Sequence, residues 1–443
     1  MNRIILIGNG FDLAHDLPTS YNSFIEDFWK KEVKQIRDSH HFHYKDKWIE
    51  LTSSLLSLDN IIFEKTKSRQ DIIYDINESY RLYEDNIEID FKLKNKLLDI
   101  ISNNLEERKW VDIENDYYKM LKEISQKNGT NLSGLAKTLN RELADVEFLL
   151  KEYLIKIEKE AKIKQNTTTQ IHDKIYSPFC FDDVPHVHRK RLVENLMSSI
   201  RPVLMSNATR YESLIINTLK KKYPQIEDLD DDDILSVLDG WYLLMTYKEQ
   251  INYIRNTSKK NKHLFEKLLS PKEILLLDFN YTKTTENYKS FDTDIIHIHG
   301  ELNNPKNPMI FGYGDEIGED YKKIEDLEEN ELLKNVKSIR YQDTNNYQRL
   351  MEFIESDYYQ VFVMGHSCGN SDRTLLNTLF EHENCLSIKP YFHQYGEKEE
   401  DNNYSDIVRN ISRNFRDKPA MRNKVVNKTY CEPLLEYKPE SKN

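Results

Sequence analysis

Short apolar runs rich in β-branched residues lie near both ends of the chain and predict buried strands. The first run covers residues 3–7. The others cover 274–277, 294–298, 309–311, 360–364 and 388–395. Proline lacks the backbone N–H that a central strand donates, so Pro390 confines the last strand to a sheet edge or to its first residues.

Amphipathic stretches follow the later strands. Residues 347–356, 371–381 and 404–415 have the spacing of helices, and strands that alternate with helices predict a mostly parallel sheet. The first strand needs partners, and only the C-terminal third supplies them. We therefore expect one α/β domain formed by residues 1–20 and 271–443.

The middle of the chain has a different pattern. Neither glycine nor proline occurs between Tyr21 and Asn128, and apolar residues at 146, 149, 150, 153, 154 and 157 share one face of a helix. Such a stripe indicates core packing more often than a cofactor site. We expect residues 21–270 to form a large all-helical insertion.

Composition narrows the classes of function. The chain has 443 residues and a net charge of −12, and this acidic balance gives no strong signal for nucleic-acid binding. Its four cysteines form no C-x-x-C pair, and no apolar run approaches the roughly 20 residues of a membrane helix. These features predict a cytoplasmic protein that does not bind membranes. The closely spaced histidine pairs lack a third ligand, so no metal site is predicted.

Polar or glycine-rich segments follow four of the predicted strands. These segments are 8–10, 278–282, 299–301 and 365–372. Each has an ordinary explanation by itself: Asn280 could close a turn, His299 could be a buried core histidine, and Gly365 could precede a helix cap. In a parallel sheet, however, all four would meet at the carboxyl edge, where ligands of α/β proteins bind. Their combination predicts a nucleotide site.

Two motifs resemble the AbiH family, bacterial proteins linked to abortive phage infection. Residues 8–15 with 17–21 look like the opening signature of that family, and residues 110–114 resemble a mid-chain motif. The order of Gly-x-Gly, an asparagine segment, His-Gly and Gly-x-Ser followed by aspartate is similar to sirtuin-like NAD-binding domains. The resemblance implies a Rossmann-like, sirtuin-like sheet that binds NAD as substrate or ligand.

The resemblance also implies a role for each matched residue. Asn280 would hydrogen-bond the nicotinamide-side ribose or position a water. His299 would act as general base, or would polarise the ribose hydroxyls, while nicotinamide leaves. Asp12 or Glu114 would supply negative charge to the oxocarbenium-like state. Backbone and side chains that would line the nucleotide are Gly8, Asn9, Gly10, Phe11, Tyr281, Gly300, Gly365, Ser367 and Asp372, with the pyrophosphate beside Gly8 and Gly10.

One departure from the sirtuin-like pattern leaves alternatives open. Thr282 stands where that pattern has an aspartate that holds nicotinamide, and the zinc-binding cysteine module of deacylases is missing. The expected activity is NAD hydrolysis by an abortive-infection effector. A catalytically inactive sensor of NAD, ADP-ribose or a related nucleotide is the alternative. A weaker alternative is a metal-dependent hydrolase or nuclease that uses Asp12, Asp315 and Asp372.

The same interpretation extends to partners. An effector of this kind would be inactive until infection, so it would respond to a phage-derived trigger or to a neighbouring defence protein. A long helical insertion also makes a homo-oligomer a reasonable expectation.

Overall fold

A computed structural model describes residues 1–39, 43–53, 89–108, 112–127, 131–185 and 269–437, with a few isolated positions between them. The strands within these ranges are β1 (Asn2–Ile7), β2 (His43–Lys45), β3 (Ile49–Ser53), β4 (Ile89–Leu93), β5 (Ile274–Asp278), β6 (Thr293–His297), β7 (Tyr359–Met364) and β8 (Cys385–Tyr391).

The helices of four or more residues in the same ranges are α1 (Asn9–Ala14), α2 (Tyr21–Asp38), α3 (Lys96–Arg108), α4 (Ile113–Ser125), α5 (Leu132–Glu160), α6 (Gln165–Ile175), α7 (Glu319–Glu325), α8 (Asn330–Leu333), α9 (Lys337–Arg340), α10 (Asn346–Ser356), α11 (Arg373–Glu381), α12 (Tyr404–Arg413) and α13 (Lys418–Lys424). The predicted helices after the late strands are confirmed to within a few residues as α10, α11 and α12.

A five-stranded sheet forms the centre of the fold, in the order β6-β5-β1-β7-β8 with every neighbouring pair parallel. The mostly parallel sheet predicted from the sequence is therefore confirmed. Ile5 pairs with Leu276 on one side and Phe362 on the other, which puts β1 in the middle of the sheet. β8, which contains Pro390, lies at an edge as predicted.

Both faces of the sheet are covered. Alternate residues such as Ile4 and Leu6 pack into one apolar cluster, whereas Ile5 and Ile7 pack into another on the opposite face. Continuous apolar runs such as 4–7 are typical of strands that are buried on both faces. The strand predicted at 309–311 is wrong. These residues are buried outside any regular strand, and Ile310 N–H instead donates to His299 O at 2.8 Å.

The expectation of an all-helical middle segment is also wrong. β2, β3 and β4 form a three-stranded antiparallel sheet. Residues 49–52 alternate between buried and part-buried or exposed, and 90–93 do the same, which is the period of a half-buried strand. The scarcity of glycine and proline does not distinguish a helix from a strand of this kind. The proposed boundaries at residues 20 and 271 remain a prediction.

The segment between β1 and β5 packs on the loops that follow β6. The rings of Tyr118 on α4 and Tyr313 stack 3.8 Å apart, and Asn140 Nδ2 on α5 donates to Glu331 O at 2.8 Å. The helical face predicted at 146–157 is confirmed, since Val146, Leu150 and Ile157 are buried in the same core. Among the described helices, none is both long enough and apolar enough to cross a membrane.

Candidate functional site at the carboxyl edge of the sheet

The loops after β1, β5, β6 and β7 meet at one edge of the sheet, as the parallel topology requires. These loops contain the predicted site residues. The structure also places Glu114 from α4, a candidate from the sequence, at this edge, and it adds Lys337 from α9.

The glycines of two loops pack against each other. Gly10 N–H donates to Gly365 O at 2.9 Å. A Cβ on Gly8 would come within 2.7 Å of His366 Cα, and a Cβ on Gly365, whose φ is +79°, would come within 2.1 Å of Phe11 N. The close approach of two backbones therefore accounts for these glycines, and the Gly10 amide is engaged within the protein. The role predicted for Gly8 and Gly10 toward a pyrophosphate stays a prediction, and α1 has only six residues.

Asn280 joins the β5 loop to the β1 turn. Its backbone N–H donates to Asp278 Oδ1 at 2.8 Å, and its side-chain Nδ2 donates to Gly8 O at 3.0 Å. Asn280 is part-buried, whereas the neighbouring Phe279 and Tyr281 are buried. These bonds fix the loop that carries the predicted asparagine beside the end of β1.

Five charged or titratable side chains form what we call the lysine cluster: Glu114, His299, Lys337, His366 and Asp372. Lys337 Nζ lies 2.8 Å from both Glu114 Oε2 and Asp372 Oδ1. Asp372 Oδ1 also lies 3.2 Å from His299 Nε2, and Asp372 Oδ2 lies 3.5 Å from His366 Nε2. The predicted residues His299 and Asp372 are thus brought together around a lysine that sequence reasoning missed.

The lysine cluster is enclosed by protein. Its five residues are between 1% and 7% exposed. Phe279 places its ring 5.0 Å from His299 and 4.2 Å from His366, and Tyr341 OH lies 3.2 Å from His299 Nε2. In a low-dielectric interior, charge–charge interactions are stronger than in water, so each member strongly influences the protonation of the others.

The pKa values follow from this arrangement. Burial and the nearby Lys337 charge lower the pKa of His299 to about 4, so the imidazole is neutral at neutral pH. Burial favours protonation of Asp372, but Lys337 and His299 outweigh burial and hold the Asp372 pKa well below its ordinary value. Burial raises the pKa of Glu114 to about 7 even though Lys337 opposes this shift. The cluster thus combines a neutral histidine, a charged aspartate and a glutamate that titrates near neutrality.

Local capping explains how Glu114 reaches the cluster. Asp112 Oδ1 accepts the Asn115 N–H at 3.0 Å and starts α4, which puts Glu114 in the first helical turn, facing inward. Of the motif at 110–114, residues 110 and 111 lie outside the described residues.

A second polar group lies around Asp12, which is 1% exposed. Thr282 Oγ1 donates to Asp12 Oδ2 at 2.7 Å, whereas Asp12 Oδ1 has no hydrogen-bond partner among the described residues. Burial raises the Asp12 pKa, and burial together with the Asp12 charge raises the pKa of Asp278 well above its ordinary value. Thr282, the departure noted in the sequence, therefore contacts a carboxylate supplied by α1.

Other predicted site residues have structural partners. Phe11 is fully buried against His15 and Tyr288, and Tyr281 OH donates to Ile310 O at 3.2 Å. Gly300 has a φ of +84° in the turn after His299. The more peripheral members of the predicted set are Asn9, whose Oδ1 accepts from Thr19 Oγ1 at 2.6 Å, and Ser367, which is exposed.

Sequence reasoning missed Lys337, Tyr341 and His366 as site residues. His366 lies within the predicted strand-end segment 365–372, but no role is predicted for it from the sequence. Lys337 lies in a polar stretch without turn signals, and nothing in its spacing indicates the cluster.

The three aspartates that a metal-dependent hydrolase or nuclease would use each contact a different side chain. Asp12 Oδ2 accepts a hydrogen bond from Thr282 Oγ1. Asp315 Oδ2 lies 3.4 Å from Arg373 Nη1, and Asp372 Oδ1 lies 2.8 Å from Lys337 Nζ. Within the described ranges, no group of three or more His, Cys, Asp or Glu side chains is arranged to hold a metal ion.

A comparison with known protein families shows which family this chain belongs to. The family described as bacteriophage abortive infection AbiH matches residues 4–181 and 207–394 of the chain. The chain belongs to the AbiH family. No curated protein and no solved structure shows a significant match to it. Membership implies a role in abortive phage infection, and the AbiH match includes all the strand ends that carry the candidate site.

Proposed function

We propose that this AbiH protein binds NAD at the carboxyl edge of its sheet and hydrolyses the nicotinamide–ribose bond, which depletes NAD in the infected cell. The sirtuin-like order of motifs suggests the substrate. The observation that carries the proposal is the contact of 3.2 Å between His299 Nε2 and Asp372 Oδ1, which orients a neutral histidine at the end of β6.

His299 has the properties of a general base. When its Nε2 carries the proton and donates it to Asp372, its Nδ1 carries a lone pair that can accept a proton. In the proposed reaction, the bond between ribose C1′ and the nicotinamide nitrogen breaks, and its electron pair leaves with nicotinamide. The oxygen of a water molecule bonds to C1′, and the proton that it loses passes to His299, either directly or through a ribose hydroxyl that gives its own proton to His299.

Asp12 is a candidate to replace the aspartate of the sirtuin-like pattern, which is Thr282 in this chain. Its Oδ1 is buried and unpartnered among the described residues, while Thr282 holds Oδ2. A buried polar atom without a partner is costly, so a donor from the substrate would relieve that cost. The carboxamide of nicotinamide is a donor of this kind. We propose that Thr282 and Asp12 together replace the aspartate.

The enclosed state of the lysine cluster supports regulation. Phe279 and Tyr341 cover His299, and the members of the cluster are buried, so a dinucleotide can enter only after side chains or loops move. An effector that kills its own cell must be inactive before infection. We propose that a phage-derived trigger, a neighbouring defence protein or self-association opens this site.

A second candidate function is nucleotide sensing without catalysis. The observation that favours it is the engaged Gly10 amide together with the buried His299, since both leave the site closed in this conformation. In this case the protein would bind NAD or ADP-ribose, would change conformation and would release no nicotinamide.

Phage challenge of cells that express the protein tests the effector proposal. Wild type, His299→Ala and the matched control His393→Ala, which changes an exposed histidine after β8, are compared during infection by a panel of phages. We expect cellular NAD to fall in infected cells with wild type or His393→Ala, and to persist with His299→Ala. Protection from phage with undiminished NAD in wild-type cells would contradict the proposal and favour the sensor.

A further inference from the structure

Lys337 occupies a position that the proposed chemistry does not yet explain. It is a charged side chain with 1% exposure, held between two carboxylates that come from distant parts of the chain. Glu114 lies on α4, 223 residues away in sequence, whereas Asp372 precedes α11 on the sheet side. Lys337 therefore links the segment between β1 and β5 to the strand-end loop that orients His299.

Lys337 can influence His299 because both side chains contact the same oxygen of Asp372. Asp372 Oδ1 contacts both Lys337 Nζ at 2.8 Å and His299 Nε2 at 3.2 Å. A carboxylate that is already neutralised by an ammonium group stabilises an imidazolium less than a free carboxylate does. Lys337 thus keeps Asp372 charged and fixed. Asp372 can then orient the ring of His299 while His299 stays neutral.

From this geometry we infer that Lys337 is a positioning residue, which Glu114 anchors and which acts through Asp372 to keep His299 neutral and oriented as a base. The inference rests on the proposed function for its catalytic meaning, but its electrostatic content does not depend on NAD cleavage. Because Glu114 lies on α4, the packing of this helix helps to fix the position of Lys337.

The other titratable groups around His299 are compatible with this assignment. His366 lies on the other oxygen of Asp372, and Tyr341 OH lies 3.2 Å from His299 Nε2. Burial raises the pKa of Tyr341 well above its ordinary value, so this phenol stays neutral near His299. Apart from burial, which is the largest cause of the lowered His299 pKa, the charges of Lys337 and Asp372 therefore have the strongest influence on whether His299 takes up a proton.

The first test titrates His299 in the folded protein by NMR of ring-labelled histidine, with the His299→Gln variant identifying its signal. In wild type, the His299 signal should titrate at about 4. An ordinary pKa of about 6.5 in wild type would overturn the inference before any substitution at Lys337 or Glu114 is made.

The second test removes the anchored cation. The double variant Lys337→Met/Glu114→Gln removes the buried cation and replaces its carboxyl anchor with a neutral amide, which leaves Asp372 to pair with His299. The His299 pKa should then rise by at least about two units, toward or above 6.5, because burial is opposed by an unshared carboxylate. The control Lys323→Met changes a lysine whose side chain is 72% exposed and should leave the titration unchanged. An unchanged His299 pKa in the folded double variant would overturn the inference.

Nicotinamide release separates this inference from the proposed function. If wild type cleaves NAD, the acid limb of its pH profile should move to higher pH in the double variant, as the His299 titration does. A shifted titration without NAD cleavage by wild type would support the positioning role and reject the proposed function. NAD cleavage without a shifted titration would do the reverse.

Discussion

Two buried lysine–aspartate contacts in this protein have different surroundings. Lys389 Nζ lies 3.0 Å from Asp183 Oδ2, beside Arg3, which packs between the rings of Phe179 and Phe362. Lys337, by contrast, contacts two carboxylates, one of which also contacts a histidine on each oxygen.

The difference appears in the titration of the carboxylates. Burial raises the pKa of Asp183 although Lys389 opposes this, whereas the pKa of Asp372 is held well below its ordinary value. A buried ion pair is therefore weak evidence of function by itself. A cation that controls a histidine at a strand end is stronger evidence, because a change in its charge alters the state of a candidate base.

Loss of either buried lysine, in Lys337→Met or in Lys389→Met, should have the largest effect on stability. Each substitution removes the lysine partner of a buried carboxylate and should lower the free energy of unfolding by about 3–5 kcal/mol. Urea denaturation measures this loss. Only Lys337→Met should also reduce nicotinamide release per folded molecule, because Lys389 lies outside the lysine cluster. Equal activity of the two folded variants would remove the functional distinction between the two lysines.

Glu114 and His299 should make the stability of the protein depend on pH in opposite directions. The Glu114 pKa is raised from 4.5 to about 7 in the folded protein, so its contribution to stability falls as pH rises through that window. The His299 pKa is lowered from 6.5 to about 4, so its contribution rises from pH 4 to 6.5. In wild type the two contributions oppose each other.

Glu114→Gln removes only the first contribution. Relative to wild type, its free energy of unfolding should therefore increase by about 3 kcal/mol as pH rises from 4.5 to 7. Denaturation at several pH values measures this difference, with Glu152→Gln on the exposed face of α5 as control. Parallel pH curves for Glu114→Gln and wild type would show that Glu114 titrates normally.

The smallest expected effect on stability is at Asp12. Asp12→Asn keeps an oxygen for Thr282 and removes a buried charge, so the free energy of unfolding should change by less than about 1 kcal/mol. If Asp12 holds the carboxamide, KM for NAD should rise several-fold while the His299 titration is unchanged. An unaltered KM would exclude Asp12 from the substrate site and leave the lysine cluster as its centre.

The sequence predicts much of the sheet because local patterns specify it. The run 4–7 ends at Gly8, the run 360–364 ends at Gly365, and Pro390 indicates an edge strand. The same local reasoning misses β2–β4, since the absence of glycine and proline suits strands as well as helices. Alternation at 49–52 is the signal that could have identified them.

The site is only partly predictable for a different reason. His299 and Asp372 follow from strand ends, whereas the contact of Glu114 with Lys337 joins residues 223 apart and depends on how α4 packs on the sheet. Nothing in the residues around Lys337 indicates a buried cation. Similarly, the glycines that suggest a phosphate site are explained by the packing of Gly10 against Gly365.

Nicotinamide release by purified protein tests the proposed NAD hydrolysis most directly. Wild type, His299→Ala and His393→Ala are incubated with NAD, with and without a chelator and an extract of phage-infected cells, and free nicotinamide is followed by chromatography. We expect chelator-resistant release by wild type and His393→Ala, and none by His299→Ala. Equal release by His299→Ala, or no release and no saturable NAD binding by wild type under any condition, would contradict it.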